Sequence, residues 1–516
     1  MCSATTWQGA LEELDALEAR ARQEPAHRGE PGRLSPRERI RTLLDDGSFT
    51  ELNMLAEHQC RDFGMADKRV PGDGVITGHG TVNGRRVFVY AQDESVFGGS
   101  TGKVHGAKIQ QVQRLAREAG VPIVALAASA GARIQEGMDN VYGITGIFRQ
   151  NVINSGVIPQ IAAVMGTCAG GTAYSAALSD FVLQVEGSSR LFLVGPAVTR
   201  ELTGEEITGD ELGGARAHAG KSGVVHLTAA DERTCLGQIR RLLDCLPANS
   251  SELPPERDSA DSTDREVPEL TAIVPLDPKQ PFDMRAVIRL VVDDSEFLEL
   301  QPSFASNVVI GFAHFGGRVA GIVANNPQQL DGYLDLDASD KAARFARTCD
   351  AFNIPLVTLV DAPGFWPGSA QEHGGLLRHG AKLLFAWAEA TVPKIAVVLR
   401  RMHGGAIPAM GVHEIGFDQV FAWPSAEMQI LAAEPAVKTL YRRELEAADD
   451  PHALLTEKIE QYRNAYTTPY HASALSVVDA VIRPEETRRA ITTALAMLGT
   501  RGLPQKAARK HGNIPL

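Results

Sequence analysis

Four short glycine-containing stretches are the residues of this chain best suited to chemistry: Ser129-Ala130-Gly131-Ala132-Arg133, Cys168-Ala169-Gly170-Gly171, Pro363-Gly364-Phe365 and His403-Gly404-Gly405-Ala406. Each follows an apolar run that reads as a buried strand and leads into a segment that reads as helix. A strand that ends in glycine and feeds a helix leaves backbone N–H groups unpaired, aimed at whatever occupies the turn. Two such turns on neighbouring strands can direct two donors at one oxygen, which is what stabilising an oxyanion requires. Glycine suits the position because a Cβ would block close approach of a ligand oxygen, and because such turns draw on positive φ. The plain alternative for any single glycine is a tight turn or a helix-packing contact.

Conventional catalytic side chains are scarce. Ser129 is preceded by Ala-Ala, so the G-x-S-x-G nucleophile elbow is not met. His403 is open to two readings: titrating near neutrality or donating to a ligand carbonyl, and packing while it satisfies a backbone group. Glu136 and Asp139 follow the first glycine turn, where a carboxylate also favours a helix N-terminus. Glu205 and Glu206 stand some 35 positions beyond the second turn, too far to serve it as a placed base. No phosphate-binding loop, H-E-x-x-H or dinucleotide fingerprint is present. A chain rich in backbone donors and poor in an evident general base suits chemistry in which a cofactor brings its own base while the protein stabilises enolate oxygens.

The elements that carry these turns occur twice. A helix-period segment from Lys108 leads to Pro122, an apolar run Ile123 to Ala128, and Gly131; another from Lys341 leads to Pro355, Leu356 to Val360, and Gly364. Lys to Pro is 14 positions and Pro to Gly is 9 in both. A second apolar run goes from Pro159 to Gly170 and from Pro393 to Gly404, 11 positions each time. Spacing kept at four landmarks implies duplication. Each unit then reads as a hairpin (Gly74 to Gln92 with turn Asn83-Gly84; Val308 to Asn325 with turn Gly316-Gly317), helix, strand, glycine turn, helix, strand, Gly-Gly and helix. Gly120 and Asn353 fall where the first helix of each unit should end in a left-handed residue. The expectation is an α/β fold of two tandem units. Lead-in helix and loop cover 1–34, the units cover 35–247 and 270–516, and a Ser-, Asp- and Pro-rich linker covers 248–269.

At 516 residues the chain exceeds one ordinary core. It is 44% hydrophobic and 22% charged, with a formal charge of −12, which argues against a nucleic-acid surface. Six cysteines without C-x-x-C or zinc spacing predict free thiols in a reducing compartment and no metal site. The N-terminus lacks a signal-peptide layout, and no run approaches the ~20 apolar residues of a membrane span. A cytoplasmic protein without membrane contact is expected.

The stretches GDGVITGHGTVNGRRVFVYAQD, VFGGS, SAGARIQEG, GTCAGG, DAPGFWPGSAQEHGG, RHGAKLL, AEATVPKI, HGGA and KHGNIPL resemble the carboxyltransferase (β) subunits of propionyl-CoA and acetyl-CoA carboxylases, over nearly the whole chain. The resemblance implies two crotonase-like domains, the first binding acyl-CoA and the second carboxybiotin. It implies that Gly131 and Ala132 hold the thioester enolate oxygen, that Gly405 and Ala406 hold the ureido oxygen of biotin, and that Ala130, Arg133, Gly170, Gly171, Gly364, Phe365, His403, Gly404, Ile407 and Pro408 line the substrates. Biotin is expected on a separate biotin carboxylase and carrier subunit, since neither an A-M-K-M-like site nor an ATP module is recognisable. A hexamer built as a trimer of dimers is the implied assembly. Departures fall at Ala128 and Ala130, where the family reads D-S-G-G-A-R, and at Ile407-Pro408, where a substrate-sensing acid is common. They point to altered substrate choice. The rival readings are a malonyl- or methylmalonyl-CoA decarboxylase on the same fold, a crotonase-type hydratase and an inactive scaffold.

Overall fold

The computed structural model describes residues 6–23, 33–499, 502, 514 and 515. The expected loop at 24–32, Cys2 and most of the closing stretch 510–516 lie outside the described residues. The chain divides into two compact units, Met1–Glu252 and Leu253–Leu516.

The first unit is built on eight strands: β1 Thr50–Leu52, β2 Val75–Val82, β3 Arg85–Gln92, β4 Ile123–Ser129, β5 Gln160–Ala169, β6 Phe181–Val185, β7 Arg190–Phe192 and β8 Leu227–Ala229. Their order is β1-β2-β3-β4-β5-β6-β8, with β7 pairing the far end of β5. The β1-β2-β3 edge is antiparallel and the rest parallel. Asn83 (φ 51°) and Gly84 (φ 75°) turn the β2–β3 hairpin with two left-handed residues, the conformation whose twist matches the strands. Every residue of β4 is buried, as a strand covered on both faces requires. The helix Lys103–Ala119 covers one face and ends on Gly120 (φ 64°), whose N–H returns to the Ala116 carbonyl.

The second unit repeats the plan with β9 Phe297–Leu300, β10 Val308–Phe315, β11 Arg318–Asn325, β12 Leu356–Ala362, β13 Lys394–His403, β14 Gln419–Ala422, β15 Glu427–Gln429 and β16 Ala480–Val481. The order is β9-β10-β11-β12-β13-β14-β16, and β15 pairs the end of β13 as β7 pairs the end of β5. Helix Leu336–Ala351 is followed by left-handed Asn353 (φ 57°). Val287, Ile288, Ile322, Val357, Leu359, Val397 and Leu399 are fully buried in its core. Each such side chain contributes roughly 1.5–3 kcal/mol.

The polar stretch at 253–269 is anchored to the second unit rather than hanging free. Arg257 N–H donates to the Gly317 carbonyl, and Asp261 pairs with Arg265 at 2.7 Å and lies 3.5 Å from Arg488. No disulfide joins the five described cysteines, four of which are buried.

Candidate active site

The first site forms where β4 and β5 end side by side. Beyond Ser129 the chain makes one parallel bridge, Thr101 to Ala132, in which Thr101 N–H donates to the Gly131 carbonyl (2.7 Å) and Arg133 N–H donates to the Thr101 carbonyl (3.0 Å). That pattern uses the groups on either side of Ala132 and leaves its own N–H outside the bridge, on an exposed residue. Gly131 has φ 96°, and a Cβ there would stand 3.0 Å from the Ala169 carbonyl of the neighbouring turn, so only glycine brings the two turns together. Its N–H, however, donates to Ser129 Oγ at 3.2 Å. Of the expected donor pair, the structure frees Ala132 and engages Gly131.

The neighbouring turn follows β5. Gly170 (φ 58°) donates to the Phe192 carbonyl of β7, and its own carbonyl accepts from Ala173 and begins the helix Gly171–Ala177. The N–H groups of Gly171 and Thr172 precede the first helical hydrogen bond and are open at the same place. Ala130 is exposed on the turn, with its N–H on the Gly98 carbonyl at 2.9 Å.

Arg133 requires a correction. Its guanidinium is completely buried and donates to Asp73, Glu136, and the hydroxyl and carbonyl of Ser100, while stacking 4.9 Å over the Phe97 ring. It buttresses the turn and does not reach a substrate. Glu136, which also accepts from Lys103 N–H at 2.7 Å, belongs to the same scaffold. Ala128 is fully buried beneath the turn, so the missing acid there alters the turn's support and not the pocket wall.

The second site has the same construction. Leu334 bridges Phe365: Leu334 N–H donates to the Gly364 carbonyl (3.0 Å) and Trp366 N–H to the Leu334 carbonyl (2.7 Å), leaving the Phe365 N–H outside. Gly364 has φ 140°, and a Cβ there would stand 3.8 Å from both the His403 carbonyl and the Tyr333 ring. Gly404 (φ 54°) donates to the Gln429 carbonyl of β15, and Ile407 N–H to Gly404, so the Gly405 and Ala406 N–H groups head the helix Ala406–Met410 unpaired. A Cβ on Gly405 would come within 2.9 Å of the Phe365 ring, which lies against that backbone. Ala406 is buried, while Ile407 and Pro408 are half-buried in the first turn, where proline's missing N–H costs nothing. Two anchors fix this short helix: Trp387 Nε1 donates to the Ala409 carbonyl and Thr358 Oγ1 to Met410.

His403 is buried, with Nε2 3.1 Å from Gln429 Nε2. Burial, reinforced by Arg401, lowers its pKa to about 4, so it is neutral at pH 7 and partners a side chain rather than the backbone. Among the described residues no His, Cys, Asp and Glu group could hold a metal, and no helix is long and apolar enough to cross a membrane.

Two segments lock the turns: Phe97-Gly98-Gly99-Ser100-Thr101, marked in the sequence only as the family-like stretch VFGGS, and Leu330-Asp331-Gly332-Tyr333-Leu334, which no motif marks. A Cβ on Gly99 would collide with the Ala128 carbonyl, and one on Gly332 would stand 2.5 Å from that of Asp361. The signal was available, because these glycines sit at the same 233-residue offset as Gly131 and Gly364.

Comparison with known proteins supplies a family. The family described as "Carboxyl transferase domain" matches residues 27–514. The propionyl-CoA carboxylase carboxyltransferase subunit of Haloferax mediterranei is 48% identical over 502 residues, covering 97% of each chain. The methylmalonyl-CoA decarboxylase subunit alpha of Veillonella parvula is 47% identical over 485 residues, covering 94% of each. The crystal structure of transcarboxylase 12S, a hexamer with methylmalonyl-coenzyme A and methylmalonic acid bound, superposes with a TM-score of 0.94 at 45% identity, covering 99% of both chains.

Proposed function

The chain belongs to the carboxyl transferase family, and from that premise we propose that its first unit holds an acyl-CoA thioester and its second the carboxybiotin of a carrier protein. It is an acyl-CoA carboxyltransferase built from two crotonase-like units, and it moves a carboxyl group between biotin and the α-carbon of the thioester.

The observation that carries the assignment of roles is the repeated bridge, which holds each glycine turn by its flanking groups and leaves backbone donors facing out. In the first unit Ala132 N–H donates to the thioester oxygen, with the Gly171 and Thr172 N–H groups on the adjoining turn. These donors stabilise the enolate formed when the α-proton leaves; one such donor is typically worth 10²–10³ in rate. In the second unit Gly405 and Ala406 N–H groups fit a neutral ureido carbonyl, since neutral His403 adds no competing charge. Carboxybiotin, when bound, supplies both the carboxyl group and the base. The Phe365 ring lies along the Gly405 backbone, and a Cβ at 405 would strike it.

A small pocket of about 10 Å³ borders the first site, lined by Thr101, Ile144, Phe148, Gly171 and Ser175 among others. Its room matches about one water, which favours a short acyl group. Neither Ala128, buried under the turn, nor Pro408, in a helix first turn, argues for a wide pocket. The partner is a biotin carboxylase and carrier, the assembly a hexamer built as a trimer of dimers, and the compartment the cytoplasm, where acyl-CoA and ATP are at hand.

The test is carboxylation of a panel of acyl-CoAs by the purified chain with and without a biotin carboxylase and biotinylated carrier, followed by mass spectrometry. Partner-dependent gain of one carboxyl on acetyl- or propionyl-CoA supports the reading. The same donors serve the reverse direction, and the 47% identity to a decarboxylase subunit favours that as the second reading. Release of CO2 from methylmalonyl-CoA without forward activity would establish it instead.

A further inference from the structure

The two units share one plan, yet the ends of their central strands are held by different charges. In the second unit Asp361, fully buried on β12, accepts from Arg400 Nη2 at 2.6 Å and Arg401 Nε at 2.8 Å, both on β13. Arg401 continues to Asp331 at 2.7 Å, in the segment that bridges Phe365. One carboxylate thereby ties together β12, β13 and the bridging segment beneath the Gly364 turn. The corresponding positions of the first unit, counted back from Gly131, Gly170 and Thr101, are Ala128, Gly166, Thr167 and Gly98. Every charge of that network is absent.

The space is filled from elsewhere. A Cβ on Gly166 would run into the Glu94 carboxylate, and would lie 3.0 Å from Ala128 Cβ and 3.2 Å from Arg33 Nη2. Arg33 Nη1 pairs with Glu94 at 2.5 Å, its Nη2 donates to the Met165 carbonyl on β5 at 3.1 Å, and its Nε lies 3.7 Å from buried Glu232. The small residues at 128 and 166 are what the incoming carboxylate and guanidinium need in order to meet there. A carboxylate and a guanidinium thus occupy the same place in both units, delivered by two strands in one and by two loops in the other.

We propose that the Arg33–Glu94 ion pair is the positioning device of the Gly131-Ala132 turn, replacing the Asp361–Arg400–Arg401 network of the second unit. Its consequence for the rate rests on the reading of Ala132 as a donor; its consequence for the turn does not. A carboxylate restored at 128 should then substitute for Glu94 when Glu94 is gone and repel it when Glu94 is present.

The experiment compares the full-length wild type with Glu94→Ala, Ala128→Asp and the double variant. Amide hydrogen exchange is read over residues 123–135, and kcat and KM for propionyl-CoA are read with the biotin carboxylase and carrier. Glu94→Ala should speed exchange in that segment and lower kcat about 10-fold or more with KM within about twofold, since small misplacement of a reacting group costs up to about 10². The double variant should return both toward wild type, and Ala128→Asp alone should disturb both. Unchanged exchange in Glu94→Ala, or a double variant that melts like wild type yet exchanges like Glu94→Ala, overturns the proposal. Exchange that tracks the pair while kcat stays constant upholds the positioning role and overturns Ala132 as the donor. Arg33→Leu should speed exchange in the same segment, and Ala128→Asp should not restore it there, because the guanidinium the new carboxylate would pair with is gone.

Discussion

Gly131 is where backbone geometry and chemistry meet most closely. With φ 96° and a carbonyl 3.0 Å from where its Cβ would be, it accepts a side chain only with backbone strain and a shift of the neighbouring turn. Gly131→Val should keep the fold, at a cost of about 1–3 kcal/mol in strain, yet lower kcat by about 10² or more as the Ala132 N–H moves; melting and carboxylation measured together check this. Ile144, whose Cγ2 a Cβ on Gly171 would strike within 2.6 Å, marks the pocket wall. Ile144→Ala should raise kcat/KM for a longer acyl-CoA relative to propionyl-CoA by roughly 10-fold, in line with 1–3 kcal/mol per methylene-sized contact. At His403 the sign follows from burial. Its folded pKa, about 4, lies below the usual 6.5, so between those values the unfolded chain takes a proton the folded chain refuses. Buried His105, pushed down to about 3, acts the same way. Stability is therefore complete above pH 6.5 and falls as pH drops toward 4, and His403→Gln should shallow that loss in a melting series. A histidine's place in the chain shows only that it adjoins a glycine turn; its neutrality comes from the low-dielectric surroundings that packing creates.

At the scale of elements, the duplication reaches further than its glycines. Asp45 and Asp293 each accept the N–H groups of their hairpin turns, Asn83-Gly84 and Gly316-Gly317, and each pairs with an arginine, Arg240 and Arg488. Lys108 and Lys341, landmarks of the repeat, are buried lysines whose Nζ groups tie backbone carbonyls together: Gly72 and Val75 for Lys108, and Gln301, Phe304, Ala305 and Val308 for Lys341. Lys341→Met would take the side-chain donor from all four carbonyls, of which those of Gln301 and Ala305 keep a backbone donor, from Phe304 and Val308. A loss of about 3 kcal/mol follows from the cost of unsatisfied buried acceptors, to be read as a lower denaturant midpoint, while Lys341→Arg should lose less. The helices began five residues before the landmark lysines, at Lys103 and Leu336, because their first turns are polar and carry little apolar period.

For the whole molecule, the functional unit is expected to be larger than the chain. Sedimentation should give a particle near six times the 55.4 kDa chain mass, and the purified chain should carry no biotin by streptavidin blot, so that carboxylation appears only with the carrier added. A monomer active alone would refute both expectations. The α/β class, the two-fold repeat, the four glycine turns and the hairpin turns were legible in the residues, because strand and helix periods, left-handed glycines and fixed spacing are local consequences of backbone geometry. What only the tertiary structure decided was which donors are free and which side chains merely support them. Gly131 and Ala132 look alike in sequence, and a bridge to Thr101, thirty-one positions away, separates them. Arg133 adjoins the site in the chain yet is sealed beneath it by Asp73 and Ser100. Glu94 and Arg33, which no motif marks, fill the gap beside Ala128. Hydrogen bonding and ion pairing are settled by groups far apart in sequence, and their partners exist only once the sheets have formed.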